Sequence, residues 1–227
     1  MFGDELLMGA AGQGGGPPAM AYVSQAGMAT DFTTYTFSGQ GIGTASADRE
    51  VIVAFSCSGG GTQLINTMTI GGISATEHIE QGNTDGEMAS AIYSANVPTG
   101  TTADIVVVLN RSAGRAHVAV WEATGISVTP NDTKSDNAAA SAADPSVSIN
   151  CPATGFIIAY TSSTGGSGST YTWAGVTEDF DTGPIEFSYT ASGASDVFAT
   201  QQTGLTVAPT WSDSLSKGCL VVASWGP

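Results

Sequence analysis

The chain has 227 residues, of which 41% are hydrophobic and 11% charged, with 30 glycines and only five Lys and Arg. That length suits one large β-sandwich or two small ones and buries a sizeable core without covalent staples. The formal net charge of −15 repels a phosphate backbone and an anionic membrane surface. Nucleic acid and membranes are therefore excluded as partners, and a cation, a basic protein or a carbohydrate is left.

Residues 1–18 stand apart. Met1, Phe2, Leu6, Leu7 and Met8 form a compact apolar cluster, followed by Gly14-Gly15-Gly16 and Pro17-Pro18. This reads as a short docking peptide (Phe2, Leu6, Leu7, Met8) on a flexible-then-stiff tether. Asp4 and Glu5 stand where a secretory signal would carry basic residues, and Leu6-Leu7-Met8 is too short for its apolar core, so no signal peptide is expected. No stretch approaches the roughly 20 apolar residues that span a bilayer.

Strands are expected from residue 21 onward. Residues 33–37 alternate threonine with aromatics, the period of a half-buried strand. Residues 50–56 hold Val51-Ile52-Val53-Ala54-Phe55, a core strand. Residues 66–70 and 73–79 flank Gly71-Gly72, a hairpin signal because both central turn residues need positive φ. Residues 88–97, 104–109 (nearly all β-branched, hence central) and 117–123 complete this half. Residues 124–145 read as a polar crossing. Strands then resume at 146–150, 156–161, 170–177, 185–190, 197–201, 205–211 and 219–225.

The second run resembles the first. Val51 to Phe55 matches Phe156-Ile157-Ile158-Ala159-Tyr160, Thr67-Met68-Thr69-Ile70 matches Thr170-Tyr171-Thr172-Trp173, and Val118 to Trp121 matches Leu220 to Val222. A spacing of roughly 100 residues is too long for a solenoid or a propeller blade. The expected fold is all-β: one antiparallel, jelly-roll-like β-sandwich over residues 19–227. Its two pseudo-repeated halves are placed at about 49–123 and 146–227, and the N-terminal arm is extended. Two tandem sandwiches are the alternative; one is preferred because each half supplies only five or six strands.

Chemistry is sparse. Cys57, Cys151 and Cys219 are widely spaced and odd in number, so three buried, reduced thiols are expected, with one disulfide plus a free thiol as the alternative. His78 and His117 lie in strand-like runs without HxH, HExxH or a cysteine partner, and no GxSxG elbow, phosphate loop or dinucleotide fingerprint is present. Two carboxylate clusters, Glu77, Glu80, Asp85 and Glu87, then Glu178, Asp179 and Asp181, are placed in loops. They read as a solvated acidic rim; weak Ca²⁺ binding or a glycosidase pair would need spacing that is not visible here. Core packing is expected for Trp121, Trp211 and Trp225. Trp173, which follows the Gly165–Gly168 loop, is the best candidate to stack on a carbohydrate. No catalytic residue, cofactor or metal is expected.

Four features carry a resemblance: the apolar start Met1 to Met8 with its glycine tether; Thr67-Met68-Thr69-Ile70-Gly71-Gly72-Ile73-Ser74-Ala75-Thr76; Ala91 to Gly100 running into Ala103 to Val107; and the closing strand to Trp225-Gly226-Pro227. Together they make the chain similar to tailed-bacteriophage virion proteins of the β-sandwich type: head decoration proteins, head fibres, and tail-fibre or tail-tip appendages. The resemblance implies a non-catalytic structural protein on the virion surface, assembled in the host cytoplasm. It also implies docking on capsid or tail subunits and a homo-oligomer such as a trimer. The alternative is a receptor- or glycan-binding module at a tail or fibre tip, with a groove near residues 57–65 and 161–169 facing a host surface glycan.

Overall fold

The computed structural model describes residues 18–83, 85–138, 144–165, 170–183, 185, 189–212 and 215–227. The docking residues Phe2, Leu6, Leu7 and Met8 lie outside them. Every regular element among the described residues is a β-strand. The first half contains β1 (Ala19–Met28), β2 (Phe32–Gly41), β3 (Glu50–Ser58), β4 (Ile65–Ile70), β5 (Ile73–Ser74), β6 (Thr76–Gly82), β7 (Met88–Asn96), β8 (Thr102–Ala113) and β9 (Arg115–Thr124). The second half contains β10 (Asp132–Ala138), β11 (Val147–Cys151), β12 (Phe156–Gly165), β13 (Tyr171–Ala174), β14 (Thr177–Asp181), β15 (Tyr189–Val197), β16 (Gln202–Trp211) and β17 (Leu215–Trp225).

All strand pairs are antiparallel and stay within a half. The first half forms an inner sheet, β1-β9-β3-β7-β6, and an outer sheet, β2-β8-β4-β5. The second forms an inner sheet, β10-β17-β12-β15-β14, and outer pairings in the order β11-β16-β13. The two orders correspond place for place, with β5 as the extra strand. The segments matched in sequence fall on corresponding strands: β3 with β12, β4 with β13, β9 with β17.

The expected single sandwich is in fact four sheet layers. One core fills the first half, with Val51, Val53, Phe55, Val118 and Val120 of the inner sheet against Tyr35, Phe37, Met68, Ile105 and Val107 of the outer. A second fills the other half, around Ile149, Ile157, Val207, Leu220 and Val222. A third lies between the inner sheets, where Ile52, Ala54, Ile92, Ala119 and Trp121 meet Phe156, Ile158, Tyr160, Phe180, Val221 and Trp225. An inner strand is therefore buried on both faces: all nine residues of β3 are buried, alternating between the first core and the third. In the outer sheet, β8 is central as expected but alternates, with Ile105, Val107 and Leu109 inward and Val106 and Val108 outward.

Several boundaries differ from the sequence reading; the strand expected at 170–177, for one, is divided into β13 and β14 by a turn at Gly175, where φ is 84°. β10 lies within the supposed polar crossing; it is an edge strand paired with β17, so its polar side chains keep access to water. β1 and β15 are rich in Ala, Ser and Gly, which lack the β-branched signature of a strand. Strands expected at 185–190 and 197–201 give way to β15 at Tyr189–Val197 and a turn after it. Small residues suit β15 because large ones press on it. A Cβ placed on Gly193 would stand 2.3 Å from Phe180 Cε1 and 3.0 Å from Trp121 Cη2. The Gly71-Gly72 turn is found as expected, with φ of 60° and 79° joining β4 to β5; the chain then leaves at Ala75 and crosses to the inner sheet as β6.

Arg49 gives the first half a polar anchor. It is fully buried and donates to the carbonyls of Val97, Thr99, Gly100 and Gly43 at 2.5–3.1 Å, fixing the turn after β7.

Gly193→Ala tests the third core. The added methyl meets two aromatic rings held between sheets, so a loss of about 1–3 kcal/mol is expected, read as a lower denaturant midpoint at unchanged m-value.

Candidate functional site

The seam between the inner sheets changes character along its length. One end is the apolar third core. At the other, β3, β7, β9 and β12 place Ser56, Ser90, His117, Tyr160 and Ser162 in the same seam, all buried. Tyr160 Oη lies 2.6 Å from Ser56 Oγ and 2.9 Å from His117 Nδ1. Ser56 also bonds the hydroxyl of Tyr189 on β15. His117 Nε2 stands 2.8 Å from Gln25 Oε1 on β1, so it donates to that oxygen, and Nδ1 accepts from Tyr160. Ser90 and Ser162 bond across the same seam at 2.8 Å. The imidazole stacks on Tyr160 and on Phe180, at 5.9 and 5.6 Å between centroids.

This chain of hydroxyls ending on a histidine has the residue types of a nucleophile–base pair. However, Ser56 and His117 are bridged by a tyrosine, and both are sealed between sheets. Burial lowers the His117 pKa to about 3, so the ring is neutral, and raises those of Tyr160 and Tyr189 well above a free phenol. The arrangement is suited to holding the two inner sheets in register. Ser56, Tyr160 and Tyr189 carried no signal in the sequence beyond strand membership.

A surface cleft of about 420 Å³ lies beyond this end of the seam. Its walls come from the ends of β3, β9, β12 and β17, through Ser58, Gly59, Arg115, Thr164 and Lys217, with Asp31 and Glu87 at the rim. Lys217 forms an ion pair with Asp85 at 3.2 Å and a shorter one with Glu87. The Glu87 hydrogen bond is the main cause of its raised pKa. Two of the chain's five basic residues thus meet in this cleft. The cleft takes Ser58, Gly59 and Gly60 from the 57–65 segment and Thr164 from the 161–169 segment, where the sequence placed a groove. Its walls are polar and of mixed charge rather than aromatic.

Trp173 is elsewhere. It is half-buried, points into the second half's core and donates its indole N–H to Ser192 Oγ at 2.9 Å. Trp121 and Trp225 are fully buried and Trp211 nearly so. All three cysteines are buried and free.

The carboxylates expected in loops are mostly on strands. Glu77 and Glu80 sit on β6 and Glu178, Asp179 and Asp181 on β14, the corresponding edge strands of the inner sheets. Burial is the largest cause raising the Glu80 pKa to about 7, offset by the Ile65 N–H and reinforced by Glu77. Asp179 accepts from Trp121 Nε1 at 2.9 Å and Ser195 Oγ at 2.7 Å, linking the two halves. Among the described residues no three His, Cys, Asp or Glu side chains are grouped to hold a metal ion.

The histidine gives a pH test. Its folded pKa lies below the ordinary 6.5, so the unfolded chain binds the extra proton. Stability is lost as pH falls below 6.5 and goes on falling toward 3. His117→Gln should flatten that part of the stability–pH curve relative to the parent, measured by urea unfolding from pH 7 to 4; parallel curves would contradict the assignment. Glu80 and other raised carboxylates act in the opposite sense in both proteins, so the difference between them isolates the histidine.

Compared with known protein families and with curated proteins, the chain has no significant match.

Proposed function

We propose that the chain is a non-catalytic structural protein of a tailed-bacteriophage particle, docking through residues 1–18 and projecting an acidic double sandwich from the capsid or tail. The observation that supports this most is the pair of inner sheets buried on both faces. They join the halves into one four-layer block, and the polar side chains with catalytic potential are engaged as bonds between its layers. The described chain enters the block at β1, an edge strand of an inner sheet.

Burying Phe2, Leu6, Leu7 and Met8 on a partner is worth about 1.5–3 kcal/mol per side chain before ordering costs. That is modest for one arm and ample when an oligomer engages several. A variant lacking residues 1–12 should therefore keep the parent's thermal transition and be lost from purified particles, as read by immunoblot. Full incorporation of the truncated chain would refute the docking role.

A second reading, a receptor- or glycan-binding module at a tail or fibre tip, is favoured by the polar cleft at Ser58, Thr164 and Lys217. It predicts glycan-array binding by the full chain that Lys217→Ala weakens at least about tenfold. An array without hits, with and without Ca²⁺, removes it.

A further inference from the structure

The acidity of the chain is unevenly distributed. Glu77 and Glu80 lie on β6, Glu178, Asp179 and Asp181 on β14, and Asp132 and Asp136 on β10, all edge strands of the inner sheets. The outer sheet of the first half is different. Thr34 and Thr36 on β2 face Val108 and Val106 on β8, which in turn face Thr67 and Thr69 on β4. These six side chains point away from the core, because their neighbours Tyr35, Phe37, Val107 and Met68 point into it. They form two rows, Thr34–Val108–Thr67 and Thr36–Val106–Thr69, with no charge among the paired segments 34–37, 65–70, 73–74 and 105–109. Asp104 lies at one end, accepting from the Gly39 N–H at 2.8 Å. Phe32 and Ile73 pair with the buried Ala113 and Ile70 and so lie on the core side, and the apolar content of the outward rows is Val106 and Val108.

We propose that this Thr–Val–Thr face is a self-association surface whose occupant is the same face of a second copy. Charge selects the occupant. Copies of a −15 chain repel one another at the acidic edges, whereas a basic partner would be drawn to those edges and away from a neutral face. Symmetry agrees. The rows read the same on either side of β8, so a copy related by a two-fold axis that lies in the interface, running across β8 between the rows, presents identical rows. The two Asp104 side chains then fall at opposite ends. β2, β8, β4 and β5 hold 10, 12, 6 and 2 residues, which at a rise of about 3.4 Å and a spacing of about 4.8 Å give about 500 Å² per copy, hence about 1,000 Å² in a pair. This is the lower end of specific interfaces, so a reversible dimer is expected rather than an obligate one. The outer face of the second half, with Thr172, Ala174, Thr206 and Ala208, is also neutral but has no large hydrophobic residue on it, and serves as the internal control.

The test is sedimentation velocity of the full chain from about 1 to 200 µM, in about 0.15 and 1 M NaCl. The proposal expects a dimer that grows with concentration and with salt, since salt screens the repulsion between copies. Thr36→Glu and Val106→Glu should each weaken it at least about tenfold, and Thr172→Glu should leave it unchanged. Thr36 is exposed, so its variant remains informative if the Val106 change lowers folding stability, which circular dichroism monitors. A parent monomeric throughout overturns the proposal, as does equal loss with Thr172→Glu. So does association that survives both face variants but vanishes on removal of residues 1–18. The measurement needs no particle, so its failure is separable from failure of the virion reading.

Discussion

An inner sheet with protein on both faces has no solvent side, and nearly every feature of this molecule follows from that constraint. Its backbone hydrogen bonds close within the sheet, but each polar side chain on it must find a partner inside the protein or pay a desolvation cost. The chain meets this by segregation. Ile52, Phe156, Ile158, Val221 and Trp225 fill one end of the seam, and Ser56, His117, Tyr160 and Ser162 satisfy one another at the other. Register between the halves is set by these bonds together with Trp121–Asp179, because a hydrogen bond tolerates displacement far less than a methyl contact does.

The same constraint fixes where charge can go. With the inner faces closed, carboxylates are left the strand edges and the loop ends. Edge strands with Glu77, Glu80, Glu178 and Asp179 are poor templates for pairing with another sheet, since like charges would meet along the edge. Broad neutral faces remain on the two outer sheets.

Much of the architecture was legible in the residues. Val51 to Phe55 and Phe156 to Tyr160 are continuous apolar runs because both their faces are buried. Thr33 to Phe37 alternates because one face meets solvent. Gly71-Gly72 announced its turn through a φ that other residues avoid. Strands β1 and β15 were not legible in the same way: Ala, Ser and Gly are selected there by the size of what lies opposite, as Gly193 is by Phe180 and Trp121. The His117 network was equally hidden, since its partners Gln25, Tyr160 and Ser56 come from other strands and both halves of the chain.

By itself, then, the sequence determined the class of structure, the approximate positions of most strands and the acidity. These depend on local alternation, turn chemistry and composition, all of which are properties of short segments. Only the tertiary structure decided that the two parts are separate sandwiches stacked through their inner sheets, that Trp173 turns inward, and that Glu77, Glu80, Glu178, Asp179 and Asp181 ride on edge strands while Asp85 and Glu87 stay in a loop. Those outcomes rest on which faces meet, and a doubly buried strand has the same sequence pattern whether its second neighbour belongs to its own sandwich or to another.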